Sequence, residues 1–207
     1  MSEILSIRDL RKKRTGFELV IEDLKLSEGE KIAIVGPNGS GKSTLLEIIA
    51  GFLPPDAGRI LVCGYSPSRA LKKGLIGYSF QELSLPSLLR VSEVLELVQI
   101  GKRSKIDENL VKTLYIDEFY GKLVDELSGG MKKALSIVAA FTGSKLVLLD
   151  EPLAFLDDKR QRGLLEYLRN LKSEKGVIAT IPTELVETIT GVFDKVYYMR
   201  GGRLEVH

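Results

Sequence analysis

Lys31-Ile-Ala-Ile-Val-Gly36-Pro-Asn-Gly-Ser-Gly-Lys42-Ser-Thr-Leu-Leu-Glu-Ile-Ile-Ala50 is the stretch on which the fold turns. After Lys31 its first residues are all apolar, which suits a strand covered on both faces. Residues 42–50 return apolar side chains at helical spacing, and Gly51 follows where a C-terminal glycine cap belongs. Between the two, Gly36, Pro37, Asn38, Gly39, Ser40, Gly41, Lys42, Ser43 and Thr44 fill every fixed place of G-x-x-x-x-G-K-[ST]. In such a loop the backbone N–H groups close around phosphates, and the helix that follows adds positive potential. Lys42 supplies a point charge toward the terminal phosphates, and the Ser43 hydroxyl is expected on Mg²⁺.

The chain works outward from this unit in two styles. Upstream, Phe17, Leu19 and Ile21 share one face of an alternating segment, and Leu24 and Leu26 continue it after a shift. Downstream, Pro54-Pro55 and Gly58 mark a turn, Arg59–Cys63 reads as a strand, and Leu75–Tyr78 reads as another that leads to Gln81. From about Val91 to Gly121 the pattern turns helical, with Val94, Leu95 and Val98 on one helix and Leu110, Leu114 and Phe119 on the next. Asp107 stands where an N-cap would. Strands return at 145–149, 176–181 and 195–199, with helices expected near 158–172 and 183–190. The expected fold is α/β: a P-loop NTPase core, mostly parallel sheet with an N-terminal antiparallel part, carrying an inserted α-helical lobe. One domain would cover residues 1–207, with the core at about 1–81 and 145–207 and the lobe at about 82–144.

Composition narrows the function classes. The chain of 207 residues carries a formal net charge of +2, which gives no bulk attraction to nucleic acid or an acidic membrane. Short basic runs at Arg11–Arg14, Lys102-Arg103 and Lys132-Lys133 read as solvated faces or hairpin tips. The single cysteine, Cys63, cannot form an internal disulfide, in keeping with a reducing cytosol. No apolar run is long enough to cross a bilayer, and Met1-Ser-Glu is not a signal peptide, so any work at a membrane needs a partner.

Three further motifs follow in order. Tyr78-Ser-Phe-Gln81 comes first, then Leu127-Ser-Gly-Gly130, then Leu146-Val-Leu-Leu-Asp150-Glu151-Pro152. A carboxylate ending a buried strand is costly unless a cation sits beside it, and Mg²⁺ next to the phosphate loop would be that cation for Asp150. Glu151 would then face the terminal phosphate and polarise an attacking water. The plainer reading, an acidic pair capping a helix, loses weight downstream of a complete phosphate loop. Ser128-Gly129-Gly130 is ordinary alone, but it precedes an apolar helix at 131–141 whose positive end suits an anion.

In this order and spacing the four motifs resemble the ATP-binding subunit of an ABC (ATP-binding cassette) transporter, over nearly the whole chain. The resemblance implies ATP as substrate and Mg²⁺ held by Ser43, Gln81 and Asp150. Glu151, Gln81 and Lys42 would be the catalytic residues. It also implies a head-to-tail dimer in which Ser128, Gly129 and Gly130 touch the γ-phosphate of ATP held by the opposite subunit, with Phe155-Leu-Asp157 on the loop that crosses between subunits. The implied partners are transmembrane permease subunits and a second cassette, identical or different. No nucleic acid is expected, and the place of work is the cytoplasmic face of the cell membrane. A soluble member of the family, such as a cluster-assembly ATPase, or a slowly hydrolysing switch are the other readings.

The chain departs from the family at several positions. The histidine that usually ends the strand after the acidic pair is replaced by Ile181, and the only histidine, His207, is the last residue. Loss of a donor used mainly in the transition state would lower turnover more than affinity. The aromatic that usually stacks on adenine is absent at Lys13; Phe17 is the nearest candidate, with Arg14 as an alternative. Met131, in place of the usual glutamine, resembles drug and polysaccharide exporters. The apolar segment Leu83–Leu89 suits either a docking patch for a transmembrane partner or the inner face of the helical lobe.

Overall fold

The computed structural model describes residues 2–14, 16–80 and 85–206. Among these described residues nine strands form one sheet in the order β4-β1-β2-β9-β8-β3-β7-β6-β5. These are β1 Glu3–Arg14, β2 Phe17–Ser27, β3 Lys31–Val35, β4 Ala57–Val62, β5 Ile76–Ser79, β6 Leu146–Leu149, β7 Gly176–Ile181, β8 Lys195–Arg200 and β9 Arg203–Val206. The strands from β8 through β3, β7 and β6 to β5 are parallel. β1 pairs antiparallel with both β2 and β4, and β9 closes back antiparallel on β8. This is the mixed α/β fold that the sequence leads one to expect.

β3 shows why the apolar run lies at the centre. Ile32 and Ile34 face one cluster while Ala33 and Val35 face the other, all without exposure. The first face packs on helix α1 (Lys42–Ala50) through Leu45, Leu46, Ile48 and Ile49, together with the inner side chains of β1 and β2. The second carries α5 (Gly129–Phe141) and α6 (Asp158–Asn170), with Leu135, Val138, Leu164 and Leu168 packed there. Each such aliphatic side chain contributes about 1.5–3 kcal/mol when fully buried, so two-sided cover is what holds this strand between its neighbours.

Short α2 (Pro67–Lys72) precedes β5. Between β5 and β6 the described residues form helices and turns: α3 Val91–Lys102, α4 Glu108–Thr113, 3-10 turns at Ile116–Phe119 and Val124–Glu126, then α5, with one isolated bridge, Arg90 to Leu123. Asp107 does cap α4, its carboxylate accepting from the N–H groups of Asn109 and Leu110. Helix α5 starts two residues earlier than its apolar pattern suggests, because Ser128 caps it by accepting the Met131 N–H at 3.3 Å. The helix expected at 183–190 is instead two 3-10 turns, Thr183–Leu185 and Glu187–Ile189. Five of the eight residues, Thr183, Val186, Thr188, Ile189 and Thr190, are β-branched and lose side-chain freedom in an α-helix, and Gly191 at φ 70° ends the segment.

Candidate active site

The glycine loop leaves β3 and enters α1 with Gly41 at φ 107°, a conformation open to glycine and strained for other residues. Space demands the same residue, because a Cβ at Gly41 would lie 2.5 Å from Cζ of Phe17. Phe17 therefore packs on the loop. With Arg14, Asn38 and Glu151 it lines a cavity of about 430 Å³ whose floor is Gly39, Gly41, Lys42, Ser43 and Thr44. Arg14 is tied to Glu47 at 3.3 Å.

Lys42 is folded back onto its own loop. Its ammonium donates to the carbonyls of Gly36 at 2.7 Å and Pro37 at 3.0 Å, and it lies 3.9 Å from Oε1 of Glu151. Burial lowers its pKa, while Glu151, Asp150 and Glu184 push the other way. The Ser40 hydroxyl beside it is buried and has no hydrogen-bond partner among the described residues.

The far side of the cavity comes from β6. Leu146–Leu149 are buried on both faces, and Asp150 follows at 3% exposure, so its carboxylate needs donors. It has two: Oδ1 accepts from Ser43 Oγ at 3.1 Å and from Thr180 Oγ1 at 2.7 Å. The same threonine oxygen accepts the Glu151 N–H at 2.8 Å. Glu151 itself sits at φ 45°, where a side chain is uncommon and the surroundings must hold it. Thr180 is thus the site residue that sequence reasoning missed. Its only signal was a hydroxyl inside an otherwise apolar strand, one place before Ile181.

Ile181 points the other way. It is 1% exposed among the apolar side chains of the α5–α6 face, and only its carbonyl serves the loop, accepting the Gly36 N–H at 3.1 Å. Gln81 lies outside the described residues, as do Leu83 and Ser84 of the apolar segment. Leu85 and Leu89 pack against the helical cluster, while Leu88 is exposed.

Gly129 and Gly130 form the first turn of α5, away from the phosphate loop's own cavity. A Cβ at Gly130 would stand 2.4 Å from the carbonyl of Phe155, so this glycine lets the helix end approach the segment after Glu151. Phe155 is exposed, and Asp157 caps α6 by accepting the Arg160 N–H at 2.9 Å.

This geometry has known counterparts. The family model described as "ABC transporter" matches residues 21–154. The chain belongs to the ABC transporter family. Over 97% of its length the cassette is 32% identical to the sulfate/thiosulfate import ATP-binding protein CysA of Thermosynechococcus vestitus, covering 62% of that protein. It is also 32% identical, over 100% of its length, to the xylose/arabinose import ATP-binding protein XylG of Sulfolobus acidocaldarius, covering 88% of it. The cassette thus spans about three fifths of CysA. Among solved structures, an ATP-binding subunit of an ABC transporter shares the fold with a TM-score of 0.83 at 24% identity, covering 98% of this chain and 88% of that one. An ATP-binding cassette in its ADP conformation gives 0.75 at 26% identity, covering 99% and 90%.

Proposed function

We propose that this cassette binds Mg-ATP on residues 36–44 and hydrolyses it to drive a solute through separate transmembrane subunits. The observation that carries the reading is the meeting of Ser43 and Asp150, 107 positions apart in sequence, at 3.1 Å, with Lys42 and Glu151 beside them. Lys42 would exchange the carbonyls of Gly36 and Pro37 for β- and γ-phosphate oxygens, and Ser40 Oγ would find in a phosphate the partner it lacks.

The oxygen donors of Ser43 and Asp150 fit a hard cation, and Mg²⁺ is typically held by one or two carboxylates plus substrate phosphates. Among the described residues no cluster of three or more His, Cys, Asp or Glu side chains could bind a metal without them. When bound, Mg²⁺ would neutralise charge on the phosphates. Glu151 would accept a proton from the attacking water, and Thr180 would keep both acidic residues in place. Ile181 offers no donor, so we read turnover as slow relative to affinity.

The partners belong to the same proposal. Ser128, Gly129 and Gly130 would complete the site of a second cassette in an ATP-closed dimer. A groove of about 860 Å³ runs between the sheet and α3, lined by Phe52, Tyr78 and Phe80 with Lys72, Lys73 and Arg103 at its rim. The rings pack together at centroid distances of 4.1–5.7 Å, an apolar floor for a helix end from a transmembrane subunit. We take residues 82–144 as the helical lobe, with this groove where the lobe meets the core, and the cytoplasmic face of the membrane as its place. The relatives' names support transport as the task. Sedimentation of Glu151→Gln with and without Mg-ATP tests the reading: nucleotide should convert monomer to dimer. A variant that stays monomeric and binds no nucleotide refutes it.

A further inference from the structure

Lys133 is fully buried, in the second turn of α5. Its ammonium donates to the carbonyl of Phe80 at 2.7 Å and to the carbonyl of Asp150 at 2.6 Å. These two oxygens end adjacent parallel strands, whose backbones also meet where the Asp150 N–H donates to the Ser79 carbonyl at 3.0 Å. The residue after Phe80 is Gln81, and the residue after Asp150 is Glu151. A single cation thus holds the chain immediately ahead of both.

A buried ammonium is an expensive way to fill space. Burial pushes the Lys133 pKa down to about 8, against the pull of the Asp150 and Glu151 carboxylates. Plain packing would not need it, because α5 already has a neutral tie to the same strand: Ser136 Oγ bonds Ser79 Oγ at 2.9 Å. Lys133 also lies three residues beyond Gly130, about 4.5 Å along the helix axis. A displacement of that helix end must therefore lengthen the bonds at Phe80 and Asp150 or carry those carbonyls along.

We propose that Lys133 is a positioning residue, fixing the backbone at Phe80 and just ahead of Glu151 and making the seating of the Ser128–Gly130 helix end a condition for Glu151 to be in register. Its catalytic consequence rests on the assignment of Glu151 as the general base; its structural consequence does not. The substitution that isolates it is Lys133→Met, close in length and without donors.

Two readouts on the full chain separate those consequences. In hydrogen exchange of the nucleotide-free protein, the amides of Asp150 and Glu151 should exchange about tenfold faster in Lys133→Met, while those of helix 42–50 stay within about twofold. In steady-state Mg-ATP hydrolysis, kcat should fall about tenfold or more with KM within about threefold, and Lys133→Arg should recover most of the loss. Where Lys133→Met does not fold, Lys133→Gln, a shorter neutral donor, carries the same comparison with the same expected direction. Unchanged exchange at Asp150 and Glu151 in a folded variant overturns the proposal. So does a loss that appears in KM and kcat alike and is not recovered by arginine. A wild-type chain that does not hydrolyse ATP defeats the assignment of function, while the exchange result still decides the role of Lys133.

Discussion

Replacing Thr180 by valine keeps the shape of a fully buried side chain and removes one oxygen that makes two bonds. The hydroxyl donates to the Asp150 carboxylate at 2.7 Å, a charge-assisted bond worth about 1.5–3 kcal/mol. It also accepts the Glu151 N–H at 2.8 Å, and orphaning a buried donor costs about 1–3 kcal/mol. Asp150 keeps its bond from Ser43, so the expected loss of folding stability is about 2–4 kcal/mol rather than the full sum. With a guanidinium m-value of about 4 kcal/mol/M, the unfolding midpoint should drop by about 0.5–1 M. Thr180→Ser keeps the oxygen and gives up one methyl group, so it should lose only about 1 kcal/mol. Glu151 would also lose a restraint on its φ of 45°, and kcat should fall about tenfold or more in Thr180→Val alone. Guanidinium titrations and initial rates on the same preparations measure both effects. A valine variant as stable and as active as the serine variant would refute the role given to this hydroxyl.

Ile181→His should lower stability by about 2–3 kcal/mol, because an imidazole would replace an apolar side chain that is 1% exposed. A histidine variant that is equally stable and faster would show instead that the ring reaches the phosphate site. Asp157→Ala should cost about 1 kcal/mol at neutral pH by uncapping α6. The Asp157 carboxyl is held below its ordinary 3.8, first by the Arg160 backbone N–H and then by the Arg160 side chain. The folded state therefore favours the charged form, and the capping contribution is complete above pH 3.8 and lost as pH falls through the lower folded value. Urea midpoints of wild type and variant should converge in acid, and a gap that widens there would contradict the sign. Excess EDTA should abolish hydrolysis and Mg²⁺ should restore it, whereas turnover that persists in EDTA would remove the metal from the account.

Much of this architecture was legible because its signals are local. The run Lys31–Val35 alternates Ile32 and Ile34 against Ala33 and Val35, and both sets are buried because helices cover both faces of the sheet. The glycine loop carries its own geometry in the residues that permit it. What escaped were features made by contacts distant in sequence. Thr180 looked like any strand threonine until β7 paired beside β6 and set its hydroxyl against Asp150. Lys133 read as part of a solvated basic run, yet α5 turns it inward to two strand-end carbonyls. Phe17 was recognisable as a half-buried strand residue, but its contact with Gly41 depends on where β2 crosses the loop. The helix expected after Pro182 shortened to 3-10 turns because apolar spacing alone does not register the low helix propensity of its β-branched residues, Thr183, Val186, Thr188, Ile189 and Thr190.

The central claim is that the meeting of Lys42, Ser43, Asp150 and Glu151 is a hydrolytic centre for ATP, and Mg-ATP turnover of wild type beside Glu151→Gln tests it most directly. The account predicts measurable phosphate release by the wild type and a loss of about a hundredfold or more in the variant, with nucleotide affinity unchanged within about threefold. Equal rates in the two proteins would contradict it.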